Sequence, residues 1–558
     1  MSIPQEKKLR RCEVGGLPLI EHIIRQLRLR EVLADELNLS GREQISSADV
    51  LVLLVTNMAV ARDPLYELAD WAETMDVRSP GSRGRPKARL TDDRFGRALD
   101  KLYTADRASL QTRLILNMMR AFGVQFDRIH NDSTSVKAYG RIPGRTQTGV
   151  ELRRGHSKDH RDDLKQLIFT LSISADGAVP LHHQVYSGNR TDDTTHIETW
   201  NALRSLHGQA DFLYVADCKL CTRSQLAHIV GEGGRAITVV PGGLKETRAF
   251  IETVRAAPVP KKSIWRRRTP NDESTTEYFS IFEGTYRLEH GGHPIHWFHS
   301  SEKRKRDSHS REQRLNKSEK ALTELAAHLN TPRLKKRPAI RKAVQGIVDK
   351  YHVQPFLNVR IDKHIDRIRL RPRGRPPGQK ARYRIRQKCW YSLHWERDHQ
   401  ALRAERRVDG VFPLLCTDPD IPPIQVLKAW KYQPRLEKRF EQFKQVHRAA
   451  PLLFKKIERV EANMFIFFIS LIVQALLERQ IRQTLNGSKH KPLKLYPEDR
   501  EAPHPTTSQV LKTFAGLSRY TITDKEGCVQ EYRDELKPVH RSVLKITGIS
   551  ESQFWGEN

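Results

Sequence analysis

Between residues 121 and 245 the chain alternates short apolar runs with turn and helix signals in an order that reads as a mixed β-sheet covered by helices. An apolar run at 124–129 leads into Asn131-Asp132-Ser133-Thr134. After a polar loop come the runs 167–174 and 178–186, separated by Asp176-Gly177. An Asp-Gly pair between apolar runs is a strong hairpin signal, because both turn positions tolerate positive φ. Gly188-Asn189 closes the third strand. A helix is predicted over 196–206, then a strand at 212–216 that stops at Asp217, another helix, and a strand at 236–240. Three strands in a meander followed by helix–strand alternation give an α/β fold class.

The flanks read differently. Residues 1–120 are predicted helical: Ile20, Ile23, Ile24 and Leu27 share one helical face, Ser47 can cap the apolar stretch 50–55, and Thr91 can cap the helix holding Phe95, Leu99 and Leu102. Residues 246–415 are basic and β-prone, with a charged helical piece at 311–329, and read as an inserted domain. Helices resume at 416–490, with Pro434 and Pro451 suited to first turns, and 491–558 are polar and mixed. The apolar run 464–473 is too short to span a bilayer, which takes about 20 residues, and reads as a helix packed on the sheet. No signal-peptide pattern follows the basic residues 7–11, and no membrane partner is expected; the expected setting is the cytoplasm, beside the nucleoid.

Charge narrows the partner. Lys and Arg number 97 against 66 Asp and Glu, a net +31 with a pI near 10.0, which implies a polyanion, most simply double-stranded DNA. Six cysteines in 558 residues exclude a disulfide scaffold, and the Cys218–Cys221 pair lacks the second pair a structural zinc site needs. His290, His293, His296 and His299 recur every third residue, which on a strand alternates faces and makes no single metal cluster.

Three carboxylates are candidate catalytic residues and metal ligands. Asp132 lies in or just after a strand, Asp217 ends another, and Glu437 sits on the helix after Pro434, with Phe440 and Lys444 near its face. Were they to converge, like charges 4 Å apart would repel by about 4 kcal/mol at an effective dielectric of about 20. Hard oxygen ligands without His or Cys would then select Mg²⁺ or Mn²⁺. A strand-end Asp commonly caps a turn and a helix Glu commonly faces solvent, so the residues alone leave both readings open.

These residues also carry a resemblance. Asn131-Asp132-Ser133-Thr134 resembles the first-Asp motif of DDE transposases of bacterial insertion sequences, and Val215-Ala216-Asp217-Cys218 the second. The stretch 155–166, with Ser157-Lys158-Asp159, is similar to the Gly-Ser-Lys-Asp-Arg-Asp-Leu segment of one subgroup, and Ser187-Gly188-Asn189 to the turn that follows there. The run 435–444 resembles the Glu-bearing helix, whose Lys lies seven positions after the Glu. That subgroup has Tyr and Arg seven and four positions before the Glu, where this chain has Trp430 and Gln433; Tyr432 and Arg435 stand nearby in another register, and Glu441 is the alternative to Glu437.

The resemblance covers roughly residues 120–245 and 405–480. It implies an RNase H-like core split into 121–245 and 416–490 around a β-rich insertion at 246–415, with the helical region 1–120 binding the transposon ends. It implies two Mg²⁺ ions, with Mn²⁺ able to substitute, held by Asp132, Asp217 and Glu437. Cleavage at an element end would free a 3′-hydroxyl for joining to target DNA, with a homodimer holding two ends. Ser133, Lys158 and Asp159 would support the site, and Lys158, Arg435 and Lys444 would meet the DNA backbone. Further DNA contacts are expected from Arg266 and Arg267, from the basic stretch 367–388 and from the Arg-Gly-Arg-Pro runs holding Arg85 and the pair Arg373 and Arg375. The other reading is a non-catalytic DNA-binding descendant of such an enzyme.

Overall fold

The apolar runs of the middle region become five strands: β1 (Arg128–Lys137), β2 (Gln166–Ser174), β3 (Pro180–Ser187), β4 (Leu213–Ala216) and β5 (Arg235–Val239). They are seen in a computed structural model that describes residues 8–37, 43, 45–77, 90–137, 144–155, 163–190, 195–269, 272–283, 289–370, 384–449, 454, 456–487, 492–496, 498, 500–523 and 528–557. β1, β2 and β3 form an antiparallel meander, while β4 runs parallel to β1 and β5 parallel to β4. The spatial order β3-β2-β1-β4-β5 makes a mixed sheet flanked by helices. Every residue of β2 is buried, the polar Thr170, Ser172 and Ser174 that alternate with Leu171 and Ile173 included. The chain turns at the Asp-Gly pair, but the left-handed positions sit one residue later than that pair suggests. Gly177 and Ala178 both take positive φ, +83° and +55°, and the Ser174 N–H donates to the Val179 carbonyl at 2.9 Å to close the hairpin.

The chain divides into two compact units, Met1–Thr238 with Gln425–Asn558, and Val239–Ile424. In the first, the helix Ile457–Gly487 runs through the core, packed on Ser47–Val60, Asp92–Thr104 and β3. It is long and apolar enough to cross a membrane by length and composition, yet its most apolar window is wholly buried inside the protein. It is 31 residues long, far beyond the apolar run at 464–473, because buried polar groups on either side find partners. Glu461 meets Arg107 at 2.8 Å and Glu478 meets Arg482 at 2.6 Å. Arg479 pairs with Asp176 and donates to the Phe122 carbonyl at 2.7 Å. Paired this way, charged residues enter a core that composition would deny them.

Ile20, Ile23, Ile24 and Leu27 are all buried, on and at the end of the helix Leu17–Gln26. The cap before Ser47–Val60 is Ser46, whose hydroxyl accepts from the Asp49 N–H at 3.1 Å; Ser47 is the first helical residue and turns its hydroxyl to Glu43. Thr91 does precede Asp92–Thr104, without a side-chain capping bond. The helical reading of the N-terminal region also misses a strand, Lys8–Glu13, which is built by a distant partner: it pairs with Ser518–Thr523, and Val529–Arg533 completes a three-stranded sheet.

The second unit carries an antiparallel sheet in the order Val411–Cys416, His293–Ser300, Asp272–Phe282, Lys261–Thr269. Phe250, from the helix Lys245–Ala256, stacks on Trp297 at 3.9 Å between ring centres. The charged helical piece begins earlier than its charge pattern suggests: Ser300 caps a helix spanning Ser301–Ala327, and a second helix, Arg337–Tyr351, packs beside it. Leu315, Leu322, Ile340 and Val344 of this pair bury the foot of a two-stranded antiparallel ribbon, Leu357–Leu370 with Arg384–Arg397. The Arg311 guanidinium and the Asp409 carboxylate, both buried, join in two bonds of 2.6 Å.

Candidate active site

The parallel ladder between β1 and β4 pairs Arg128 with Leu213, Ile129 with Tyr214 and His130 with Val215. Asp132 and Asp217 each stand two residues beyond the last pair of this ladder, Asp132 still on β1 and Asp217 just past β4. Adjacent strands lie about 4.8 Å apart. Asp217 falls just beyond the carboxyl end of β4, where open α/β sheets gather their chemistry. Asp132 stays within β1, because the antiparallel pairing with β2 continues to Lys137.

Both carboxylates act on one buried phenol. Tyr214 is pushed well above the usual tyrosine range by burial, then by Tyr186, Asp217 and Asp132. Its hydroxyl lies 3.1 Å from Nδ1 of buried His196, whose Nε2 faces Oδ1 of Asp217 at 3.6 Å. Asp217 Oδ1 also accepts from the Lys219 N–H at 3.0 Å, and its carbonyl accepts from the Thr238 hydroxyl at 2.6 Å. Its side chain keeps 34 % of its surface open. Asp132 Oδ1 accepts from the Ser133 N–H at 2.7 Å, and Ser133 is buried.

Glu437 lies in the first turn of the helix Pro434–Ala449, above buried Leu436, Phe440 and Phe443. Partial burial and the negative charges of Asp132 and Glu441 raise its carboxyl above the ordinary value. Glu437 is therefore electrostatically coupled to Asp132 as well as to Glu441, the next turn along.

Two side chains fix this helix. Buried Gln433, just before Pro434, donates from Nε2 to the Asn131 carbonyl at 3.2 Å, and its Oε1 lies 3.1 Å from His130 Nδ1. Burial drives the His130 pKa down to about 3, so the ring is neutral and its Nδ1–H donates to Gln433. Buried Arg439 donates to the Ala178 carbonyl at 2.9 Å and to the Gly177 carbonyl at 3.1 Å. The Glu437 helix is thus pinned to the residue before Asp132 and to the β2–β3 turn. Neither Gln433 nor His196 carries a sequence signal: both matter through partners more than 15 residues away.

The remaining candidates scatter. Arg435 is exposed on the Glu437 helix and its guanidinium lies 5.9 Å from the Tyr432 ring, while Lys444 is half-buried further along the same helix. Arg266 is exposed on Lys261–Thr269. Its neighbour Arg267 is committed to folding: it binds buried Glu277 at 2.9 Å and lies over the rings of Trp265 and Phe279. Lys158, Asp159, Arg85, Arg373 and Arg375 lie outside the described residues.

Among the described residues no three His, Cys, Asp or Glu side chains stand close enough to cage an ion. Magnesium keeps several waters and takes only one or two carboxylates plus substrate phosphates, so it does not require a full protein cage. Asp132 is close enough to Glu437 for its charge to raise that carboxyl.

Residues 10–116 match a domain family of unknown function, DUF4277. No curated protein matches the sequence. Among solved structures, the piggyBac transposase synaptic complex with hairpin DNA is similar at a TM-score of 0.37 and 8% identity, over 89% of this chain and 76% of that one.

Proposed function

We propose that this chain is a DDE transposase with an RNase H-like core, cutting DNA at the ends of an insertion sequence and joining the freed 3′-hydroxyl to target DNA. What supports the reading is the parallel ladder of β1 and β4, whose register, followed two residues past its last pair, leads to Asp132 on β1 and to Asp217 just after β4, and the charge of Asp132, which helps to raise the Glu437 carboxyl. Acid groups drawn together would need either a proton or a cation between them. Two Mg²⁺ ions held by Asp132, Asp217 and Glu437, with Mn²⁺ able to replace them, would activate the attacking hydroxyl and neutralise the leaving oxygen. The protein's own part is to keep the acids in place. β1 and β4 set the two aspartates, and Gln433 with Arg439 sets Glu437. Arg435 and Lys444, on the same helix, would steady the phosphate backbone. The net charge of +31 supplies the attraction for DNA. Joining two element ends calls for a pair of subunits, so a homodimer is part of the proposal, as is action on DNA in the cytoplasm.

The test uses purified protein with Mg²⁺ or Mn²⁺ and end-labelled DNA spanning an element terminus, or a supercoiled plasmid for nicking. Asp132→Asn, Asp217→Asn and Glu437→Gln should each reduce cleavage by 10³-fold or more, on the order expected when metal-assisted chemistry is lost. DNA affinity should survive in all three. No cleavage by the wild-type protein, or equal cleavage by wild type and variants, would sink the reading and leave a DNA-binding protein without chemistry.

A further inference from the structure

The ribbon Leu357–Leu370/Arg384–Arg397 changes character halfway along. Its foot is covered on one face: Leu357, Val359, Ile361, Leu393 and Trp395 pack on the paired helices. Tyr391, opposite Lys363, is the last residue packed there; from His364–Trp390 outward to Leu370–Arg384, seven registered pairs leave that cover. Residues facing each other across an antiparallel pair share a face. One face of this outer half carries Arg367 and Arg369, and the other carries Arg386 and Lys388. Only Lys388 sits opposite a carboxylate, Asp366. Between these cations Ile365, Ile368, Leu370 and Ile385 are 41–63 % exposed, so apolar groups stand in water on both faces too.

A two-stranded hairpin with both faces in water is marginal by itself. Its chemistry asks for a polyanion that surrounds it rather than a surface that covers one side. The DNA major groove, about 12 Å wide, admits a two-stranded ribbon, and the outer half here is about 25 Å long. The geometry points to this ribbon as an arm that enters the major groove of duplex DNA, its cations meeting phosphates and guanine edges and its exposed isoleucines meeting thymine methyl groups. The groove between the ribbon's foot and the helix Arg337–Tyr351, lined by Arg337, Arg341 and Arg360, continues the positive surface to one side. This inference rests on the reading of the protein as DNA-binding, but not on Asp132, Asp217 or Glu437.

The experiment compares full-length protein with the quadruple variant Arg367→Gln/Arg369→Gln/Arg386→Gln/Lys388→Gln, using an end-labelled duplex fragment. Thermal unfolding first establishes that the variant folds, as four exposed positions should allow. Affinity is expected to fall by at least tenfold, and the log–log salt slope to drop by about 0.9 for each cation that meets a phosphate. Wild type should protect guanine N7 positions from dimethyl sulfate, and the variant should lose that protection, since N7 faces the major groove. Unchanged affinity, slope and footprint would overturn the inference. So would a change in oligomeric mass alone, which would assign the ribbon to pairing with a second copy of the chain. A wild type that shows this footprint but never cleaves would defeat the catalytic reading and leave the arm standing; cleavage without ribbon dependence would do the reverse.

Discussion

Gln433 occupies a position where the resembling subgroup carries Arg, and its buried amide does a job that no spacing rule anticipates. It joins the start of the Glu437 helix to His130 and Asn131, the two residues before Asp132. Gln433→Leu would remove a hydrogen bond from the buried His130 ring and another from the Asn131 carbonyl. Each such loss costs about 1–3 kcal/mol, so the denaturation midpoint should fall measurably. Cleavage should fall further than DNA affinity, because the side chain orients a carboxylate and lies apart from the ribbon. A variant with full cleavage would show that the helix finds its place without this tie. Arg267 teaches the converse lesson at the same scale. Its charge looks available in the sequence, yet buried Glu277 consumes it, while exposed Arg266 next door keeps its own free of that bond.

At the scale of elements, the β2–β3 hairpin is where local chemistry and the site meet. Gly177 needs its φ of +83°, and a Cβ there would come within 2.7–2.9 Å of the Arg479 side chain. Its carbonyl also receives Arg439. Gly177→Ala should therefore cost about 1–2 kcal/mol for the left-handed backbone alone, with more for displacing Arg479. Chemical denaturation would measure the loss, and an unchanged midpoint would show that the turn relaxes freely. The long helix Ile457–Gly487 makes the complementary point. Its central apolar run is plain in the sequence, but its extent depends on Arg107, Asp176 and Arg482 neutralising residues that otherwise look like helix ends.

For the whole molecule, buried histidines set the acid limit. Burial takes the His130 pKa down to about 3 and that of His182 to about 4, and places His183 well below the usual value. In the unfolded chain each titrates near 6.5. A depressed folded-state pKa means that the unfolded chain binds more protons as pH falls from 6.5 towards those values. Stability is thus complete above about pH 6.5 and lost progressively below it, by about 1.4 kcal/mol per pH unit for each such histidine. The urea midpoint should drop clearly between pH 7 and pH 5. A flat profile over that interval would mean that these rings are charged or hydrated in the fold.

The amino-acid sequence by itself determined the elements whose signals are local: the hairpin at Asp176-Gly177, the strand ending before Asp217, the helix opening at Pro434, and the net charge of +31. These follow from turn chemistry, period and composition, which act over a few residues. The interval of 85 residues between Asp132 and Asp217 is written in the sequence too, but carries no meaning there. The parallel ladder brings the residues just before Asp132 and Asp217 onto neighbouring strands, and Gln433 and Arg439 tie down the helix that carries Glu437. Such contacts join residues far apart along the chain, so their energy exists only once the strands and helices have packed.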